Sequence, residues 1–158
     1  MDWFVKAFLK ASLFWLAAGV SLGIAMAVHP VWAIYRTAHF HMNLLGFVAM
    51  MIFGVAYHVI PRFTGHPLHN RQLAGVQWWL ANVGLALFVL GLALRTSAVY
   101  ATPARVMVAA GGLLAGAAAY VFVYNIWRTI DGRTDRRAKA HTETEPAPVT
   151  ALRRRSAP

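Results

Sequence analysis

The strongest constraint on the fold comes from four apolar stretches that follow one another along the chain. They run from Phe4 to Val28, Phe40 to Ile60, Gly75 to Leu94 and Val106 to Trp127. Each reaches the ~20 residues with which a helix crosses the roughly 30 Å hydrocarbon layer of a bilayer. Only 13% of the residues are charged, whereas a soluble domain carries about 25%. The pattern predicts an all-α membrane protein.

Short connections between the stretches force neighbouring helices to run antiparallel, which predicts an up-down-up-down four-helix transmembrane bundle. We expect the bundle over residues 1–128, with helices at about 4–28, 38–60, 73–94 and 104–127. Pro30 is expected to end the first helix, and Pro61 to open the longest loop. The first stretch is longer than the core of a usual signal peptide, so we expect it to stay as a helix. Residues 129–158 are polar and basic, which predicts a disordered tail.

Glycines spaced four residues apart indicate close contacts between helices. Gly19 pairs with Gly23 in the first stretch, and Gly112 pairs with Gly116 in the last. Ordinary packing inside the bundle explains such pairs, and a face between copies of the chain is the alternative. We therefore expect that copies of the chain associate into a homo-oligomer.

The basic residues divide unevenly between the two sides of the predicted bundle. Of the fifteen Lys and Arg residues, twelve lie in the amino-terminal segment, the second loop and the tail. Only Arg36, Arg95 and Arg105 lie on the other side. The positive-inside rule then predicts both termini in the cytoplasm, and we take the membrane to be a bacterial inner membrane. The tail and the loops account for the net charge of +10, so we expect the lipid bilayer and no nucleic acid as partner.

Histidines mark both ends of the second apolar stretch. His39 and His41 stand at its start and His58 near its end, while His29 follows the first stretch. Histidine is costly inside a bilayer, so such residues point to a ligand or a partner. The chain has no cysteine, which leaves imidazole, thioether, amide or backbone oxygen as metal ligands. At about 100° per residue, His39 and His41 are turned roughly 200° apart and cannot share one ligand.

The second stretch carries a pattern found in a known family. Its elements are Arg36 and His39, then Asn43-Leu44-Leu45, then Phe53-Gly54, Tyr57 and Pro61. This pattern resembles the second helix of the catalytic subunit of haem-copper oxidases, with the nitric oxide reductases and their closest oxidase relatives as the nearest branch. The resemblance implies that His39 is an axial ligand of a low-spin haem b near the outer face. Arg36 then either pairs with a haem propionate or anchors the helix in the headgroups.

The chain also departs from that family. The second haem ligand and the copper-binding histidines of the family come from later helices, and here the last two apolar stretches contain no histidine. We therefore expect no complete oxygen- or nitric-oxide-reducing centre within one copy, which favours a protein that is not itself an enzyme. Electron transfer, with a redox partner protein, or gas binding is the expected function. The candidates for the second axial position are His29, Met26, Met107, His41 of a second copy, or a site left open for a gas.

Two other interpretations remain open at this point. His29, His39 and His41, together with Met26, Met42 and Met107, form a rim rich in histidine and methionine. Imidazole and thioether together suit copper, and imidazole suits zinc, with His58 as part of a separate metal site. A membrane scaffold without a cofactor is the third interpretation. Gly46 and Gly54 lie on the face of His39, where they leave clearance either for another helix or for a flat macrocycle.

Overall fold

A computed structural model describes residues 1–132, which form four long helices. The first is Trp3–Val28, the second runs over Pro30–Thr64, the third is Arg71–Leu94 and the fourth is Ala101–Ile130. All four are long and apolar enough to cross a membrane. The all-α membrane fold is thus confirmed. The predicted tail lies outside the described residues from position 133 onward.

The second helix is a composite of three helical forms. It opens with a 3-10 helix over Pro30–Tyr35, continues as an α-helix over Arg36–His41, widens into a π-helix over Met42–Ala49 and returns to α over Met50–Thr64. Pro30 begins this helix after the first has ended at Val28, as predicted. The π-helical segment was not predicted.

The first and second helices pack closely because glycines remove side chains between them. A Cβ atom on Gly46 would lie 2.5 Å from the Cβ of Trp15, and one on Gly54 would lie 3.1 Å from the Cβ of Phe8. The first helix therefore fills the clearance beside these two glycines. Of the two uses considered for Gly46 and Gly54, helix packing is the one that the fold shows.

The third and fourth helices are in backbone contact. A Cβ atom on Gly111 would lie 2.5 Å from the backbone nitrogen of Phe88 and 2.6 Å from the carbonyl oxygen of Gly84. Of the predicted pair in the fourth helix, Gly112 would bring a Cβ atom to 3.6 Å from the Phe88 ring, whereas a Cβ atom on Gly116 would meet no described atom within 4 Å. The close contact is thus made by Gly111 and Gly84.

We call the end of the bundle that contains residues 26–41 and 91–107 the histidine end, and the end that contains residues 1–10, 57–77 and 122–132 the terminal end. Aromatic rings join the helices at the terminal end: Phe4 lies 5.6 Å and Phe122 5.4 Å from the ring of Tyr57, centroid to centroid. Tyr57 is only 3% exposed. This cluster links the first, second and fourth helices.

Three predicted boundaries differ from the structure. The second helix begins at Pro30, as a 3-10 helix, and not at about residue 38. Pro61 lies inside the second helix, which continues to Thr64 and ends before Gly65 in the left-handed conformation, at φ 68°. Proline this close to a helix end removes a single backbone hydrogen bond, and glycine is the residue that adopts positive φ without strain. The fourth helix reaches Ile130, so the described bundle extends past residue 128.

Candidate functional site

The side chain of Asn43 interrupts the regular hydrogen bonding of the second helix. Its Nδ2 donates to the carbonyl oxygen of His39 at 2.9 Å, which is the acceptor that a regular α-helix offers to the backbone N–H of Asn43. A side chain that inserts into this ladder deforms a helix. The π-helix begins one residue earlier, at Met42. Such segments are frequent at functional sites, and this one follows His39 and His41 directly.

His39 is held against the first helix with a defined protonation pattern. Its Nδ1 lies 2.9 Å from the carbonyl oxygen of Gly19. A carbonyl oxygen only accepts, so Nδ1 carries the hydrogen, and the neutral ring then has its lone pair on Nε2. Because Nδ1 donates, its 3.4 Å contact with Asn43 Nδ2 is not a hydrogen bond in this tautomer. Metal-binding histidines commonly show this arrangement, with one N–H on a carbonyl and the other nitrogen on the metal.

Gly23 makes room for the imidazole of His39. A Cβ atom at Gly23 would lie 2.9 Å from Cε1 of the ring, closer than two such atoms approach without a shift. At Gly19 a Cβ atom would lie 2.6 Å from Nδ2 of Asn43. The predicted glycine pair of the first helix therefore serves to seat His39 and Asn43.

His41 faces the other side of the second helix. Its Nδ1 donates to the carbonyl oxygen of Thr37 at 2.8 Å, and its ring centroid lies 4.7 Å from that of Phe88 on the third helix. The prediction that His39 and His41 point apart is confirmed. His41 borders a groove of about 320 Å³ that Gly112 and Gly116 of the fourth helix also line.

The other predicted ligands at the histidine end have surroundings that differ from those of His39. His29 is exposed, with its ring centroid 6.4 Å from that of Trp32. Arg36 is exposed as well. Met107 packs against the third helix, where a Cβ atom on Gly91 would lie 2.9 Å from the Cβ of Met107. Within residues 1–132 no three His, Cys, Asp or Glu side chains are grouped so that they could hold a metal ion. Within the described residues the three histidines of the predicted rim therefore do not form such a group.

His58, at the terminal end, accepts hydrogen bonds from the guanidinium cation of Arg62. The guanidinium of Arg62 donates to its Nδ1 at 3.0 Å and also to its carbonyl oxygen. With Nδ1 accepting, the proton of a neutral ring is on Nε2, so neither ring nitrogen offers a lone pair to a metal. The positive charge beside the ring opposes a second cation. This geometry does not favour His58 as a ligand.

A buried polar network joins the second, third and fourth helices at the terminal end. The hydroxyl of Tyr57 donates to Oε1 of Gln77 at 2.5 Å, and Nδ2 of Asn125 lies 3.5 Å from the same hydroxyl. Asn125 also exchanges two hydrogen bonds with the backbone of Asn70, at 2.8 and 3.0 Å. Gln77 and Asn125 are polar residues inside the third and fourth apolar stretches, and such residues form hydrogen bonds between membrane helices. The role of Asn70 was missed, although an asparagine before a helix is an N-cap signal, and its side chain does cap the third helix.

Comparison with known proteins adds an independent line of evidence. The family described as Cytochrome C and Quinol oxidase polypeptide I matches residues 3–134. The chain is 28% identical over 154 aligned positions to the Cbb3-type cytochrome c oxidase subunit CcoN1 of Stutzerimonas stutzeri, covering 80% of this chain and 32% of that protein. It is 28% identical over 123 positions to the cytochrome c oxidase subunit 1 homolog of Agrobacterium tumefaciens (strain T37), covering 62% of this chain and 22% of that protein. The chain thus spans a third or less of the length of these relatives.

Proposed function

Because the chain belongs to the Cytochrome C and Quinol oxidase polypeptide I family, we propose that it is a membrane protein that binds a b-type haem through Nε2 of His39. Its function is electron transfer, or the binding of a gas such as nitric oxide or oxygen. One observation carries the proposal: the 2.9 Å hydrogen bond from Nδ1 of His39 to Gly19. This bond fixes the tautomer that a haem iron requires.

The surroundings of His39 fit an axial ligand. The imidazole occupies the space that Gly23 leaves on the first helix, and His39 is partly exposed. Iron in such a group supplies a reversible one-electron change or a coordination site for a gas. The residues of this chain orient the imidazole through the Gly19 hydrogen bond and surround it with apolar helix surface.

Arg36 is proposed to bind a haem propionate. It lies three residues before His39 on the same helix, and residues three apart are neighbours on a helix surface. It is exposed at the histidine end, where a guanidinium can pair with a carboxylate in two parallel hydrogen bonds. Anchoring in lipid headgroups is the competing role for this side chain.

Reduction of oxygen by this chain alone is not part of the proposal. The relatives are named as oxidase subunits, but the chain spans a third or less of their length, and its third and fourth helices contain no histidine. A redox partner protein is instead proposed to deliver or accept electrons. Copper or zinc binding at the rim of His29, His39 and His41 has no grouping of side chains to support it in residues 1–132.

The proposal is tested by a reduced-minus-oxidised visible spectrum of the detergent-purified protein. We expect a Soret band and split α and β bands in the wild type, and their loss in His39→Gln, whose amide can still donate to Gly19. His29→Gln is the matched control, since this histidine lies at the same end but is exposed. A folded wild type that shows no haem bands after haem is supplied would refute haem binding.

We further propose that the histidine end faces away from the cytoplasm in a bacterial inner membrane. Since the chain has no cysteine, single cysteines at Ser97 and Thr64 report one end each. In intact cells whose outer membrane has been permeabilised, a membrane-impermeant thiol reagent is expected to label Ser97→Cys and not Thr64→Cys. The opposite pattern would reverse the proposed orientation.

A further inference from the structure

We propose that a groove between the first and third helices, at the terminal end, binds one phospholipid with a phosphoethanolamine headgroup. The groove has a volume of about 380 Å³. The residues that line it are Trp3, Arg71, Gln72, Gly75, Val76 and Trp79. None of them belongs to the site around His39, so this inference does not depend on haem binding.

The groove is charged at one end and apolar at the other. Arg71 and Gln72 line it in the first turn of the third helix, and Trp79 lines it two turns further along. Trp79 follows Arg71 by eight positions, which is about 12 Å at 1.5 Å per residue. Since this helix is long and apolar enough to cross a membrane, the groove runs from the headgroup layer toward the hydrocarbon. A phospholipid has its polar and apolar parts in the same order.

Two tryptophans form the apolar walls of the groove. Trp3 and Trp79 are 57% and 61% exposed, so much of each ring faces outward from the bundle. A Cβ atom on Gly75 would lie 2.9 Å from the ring of Trp3, and that ring also meets Trp78 edge to face, 6.3 Å between centroids. These contacts hold Trp3 in place. Tryptophan is enriched at the level of the lipid headgroups, where these walls can flank the upper part of an acyl chain.

Two opposite charges lie together at the polar end of the groove. Nη2 of Arg71 donates to Oδ1 of Asp2, the residue that precedes the first helix. The side chains of Arg71 and Asp2 are 70% and 33% exposed, so a ligand can reach both. A guanidinium has five N–H donors and a carboxylate has two oxygens, which leaves donors on Arg71 and an acceptor on Asp2 for a ligand.

Phosphoethanolamine carries the complementary pair of charges. Its phosphate can accept two parallel hydrogen bonds from Arg71, and the start of a helix favours a nearby negative charge. Its ammonium can donate to the carboxylate of Asp2. A phosphoglycerol headgroup has no cation to place beside Asp2, and the ammonium of choline has no N–H to donate. The charge pair therefore selects phosphoethanolamine over both of these headgroups.

The test is native mass spectrometry of the full chain in detergent. The protein is incubated with equal amounts of phosphatidylethanolamine, phosphatidylglycerol and phosphatidylcholine that share the same acyl chains. We expect one phosphatidylethanolamine to stay bound per chain, in preference to either competitor by about twofold to fivefold, the range that an exposed ion pair contributes. Equal retention of the three lipids by the wild type would overturn the proposal.

Charge variants test the assignment of the headgroup. Asp2→Asn keeps the partner of the phosphate but removes the partner of the ammonium, so we expect the preference to shift toward phosphatidylglycerol. Arg71→Gln removes the partner of the phosphate and should lower the retention of all three lipids. Arg95→Gln is the matched control, because it removes an exposed arginine at the histidine end, and it should change neither result. A preference for phosphatidylethanolamine that persists in Asp2→Asn would contradict the assignment.

The apolar part of the groove is tested by filling it. Val76→Phe enlarges a lining side chain that is 51% exposed, so we expect loss of the retained lipid in a bundle that still folds. Val83→Phe is the matched control, because Val83 is 43% exposed about two turns further along the same helix. Equal lipid retention by these two variants would show that the lipid binds elsewhere and would overturn the proposal.

Discussion

Replacing Tyr57 by phenylalanine is expected to lower the free energy of unfolding by about 1–2 kcal/mol. The hydroxyl of Tyr57 donates to Gln77 at 2.5 Å, and the two residues are 3% and 0% exposed. Hydrogen bonds between membrane helices contribute about 0.6 kcal/mol on average and up to about 1.7. Leaving a buried acceptor unpaired costs about 1–3 kcal/mol. Because water cannot reach Gln77, we expect the cost to lie above the membrane average.

The measurement is an unfolding titration with dodecyl sulfate in mixed micelles, followed by tryptophan fluorescence. Tyr120→Phe is the matched control, because Tyr120 lies on the fourth helix with 79% of its surface exposed. The control should change the free energy of unfolding by less than about 0.5 kcal/mol, as surface substitutions do.

A double-mutant cycle isolates the pair. Gln77→Leu removes the acceptor and also the buried Nε2, which has no hydrogen-bond partner among the described atoms. Tyr57→Phe combined with Gln77→Leu is therefore expected to cost less than the two single changes together, by about 1 kcal/mol. Strict additivity, or a Tyr57→Phe effect no larger than that of Tyr120→Phe, would refute the reasoning.

Three further substitutions test other contacts. Gly23→Ala places a Cβ atom 2.9 Å from Cε1 of His39. We expect the affinity for haem, measured by titrating haem into the haem-free protein, to fall by about 10-fold to 100-fold, with little change in the free energy of unfolding. Gly111→Ala places a Cβ atom 2.5 Å from the backbone of the third helix, and we expect it to lower the free energy of unfolding by about 1–3 kcal/mol. Gly116→Ala is the control, because its Cβ atom would lie in open space, and it should not destabilise the bundle. Asn70→Ala removes a helix cap and is expected to cost about 1 kcal/mol in the same titration; an effect below that of Gly116→Ala would contradict the assigned role of the cap.

The helices were predictable from sequence because the cost of leaving an apolar stretch in water depends on that stretch alone. The opposite directions of His39 and His41 followed from helical periodicity in the same way. The predicted ends of the helices were less accurate. Hydropathy falls at the polar residues around Pro61, yet the backbone of the second helix stays helical as far as Thr64. The end of this helix is instead set by Gly65, whose positive φ is a local property that hydropathy does not report.

The site depended on contacts that are distant in sequence. The hydrogen bond between His39 and Gly19 depends on how far the first helix is shifted along the second, and glycines along both helices set that shift. The side chain of Asn43 bonds to the preceding turn where the π-helix begins, and its residue type alone does not distinguish such an amide from a solvated one. The pairing of Asn70 with Asn125 joins residues 55 positions apart.

That last pairing has a consequence for how the chain matures. The loop before the third helix obtains its hydrogen bonds from Asn125 in the final turns of the fourth helix. Until the fourth helix has been synthesised, the hydrogen bonds that Asn125 makes to the backbone of Asn70 are absent. Insertion of the fourth helix then ties down a loop that was made 55 residues earlier. This tie lies at the terminal end, at a distance from the histidines where the cofactor is proposed to bind.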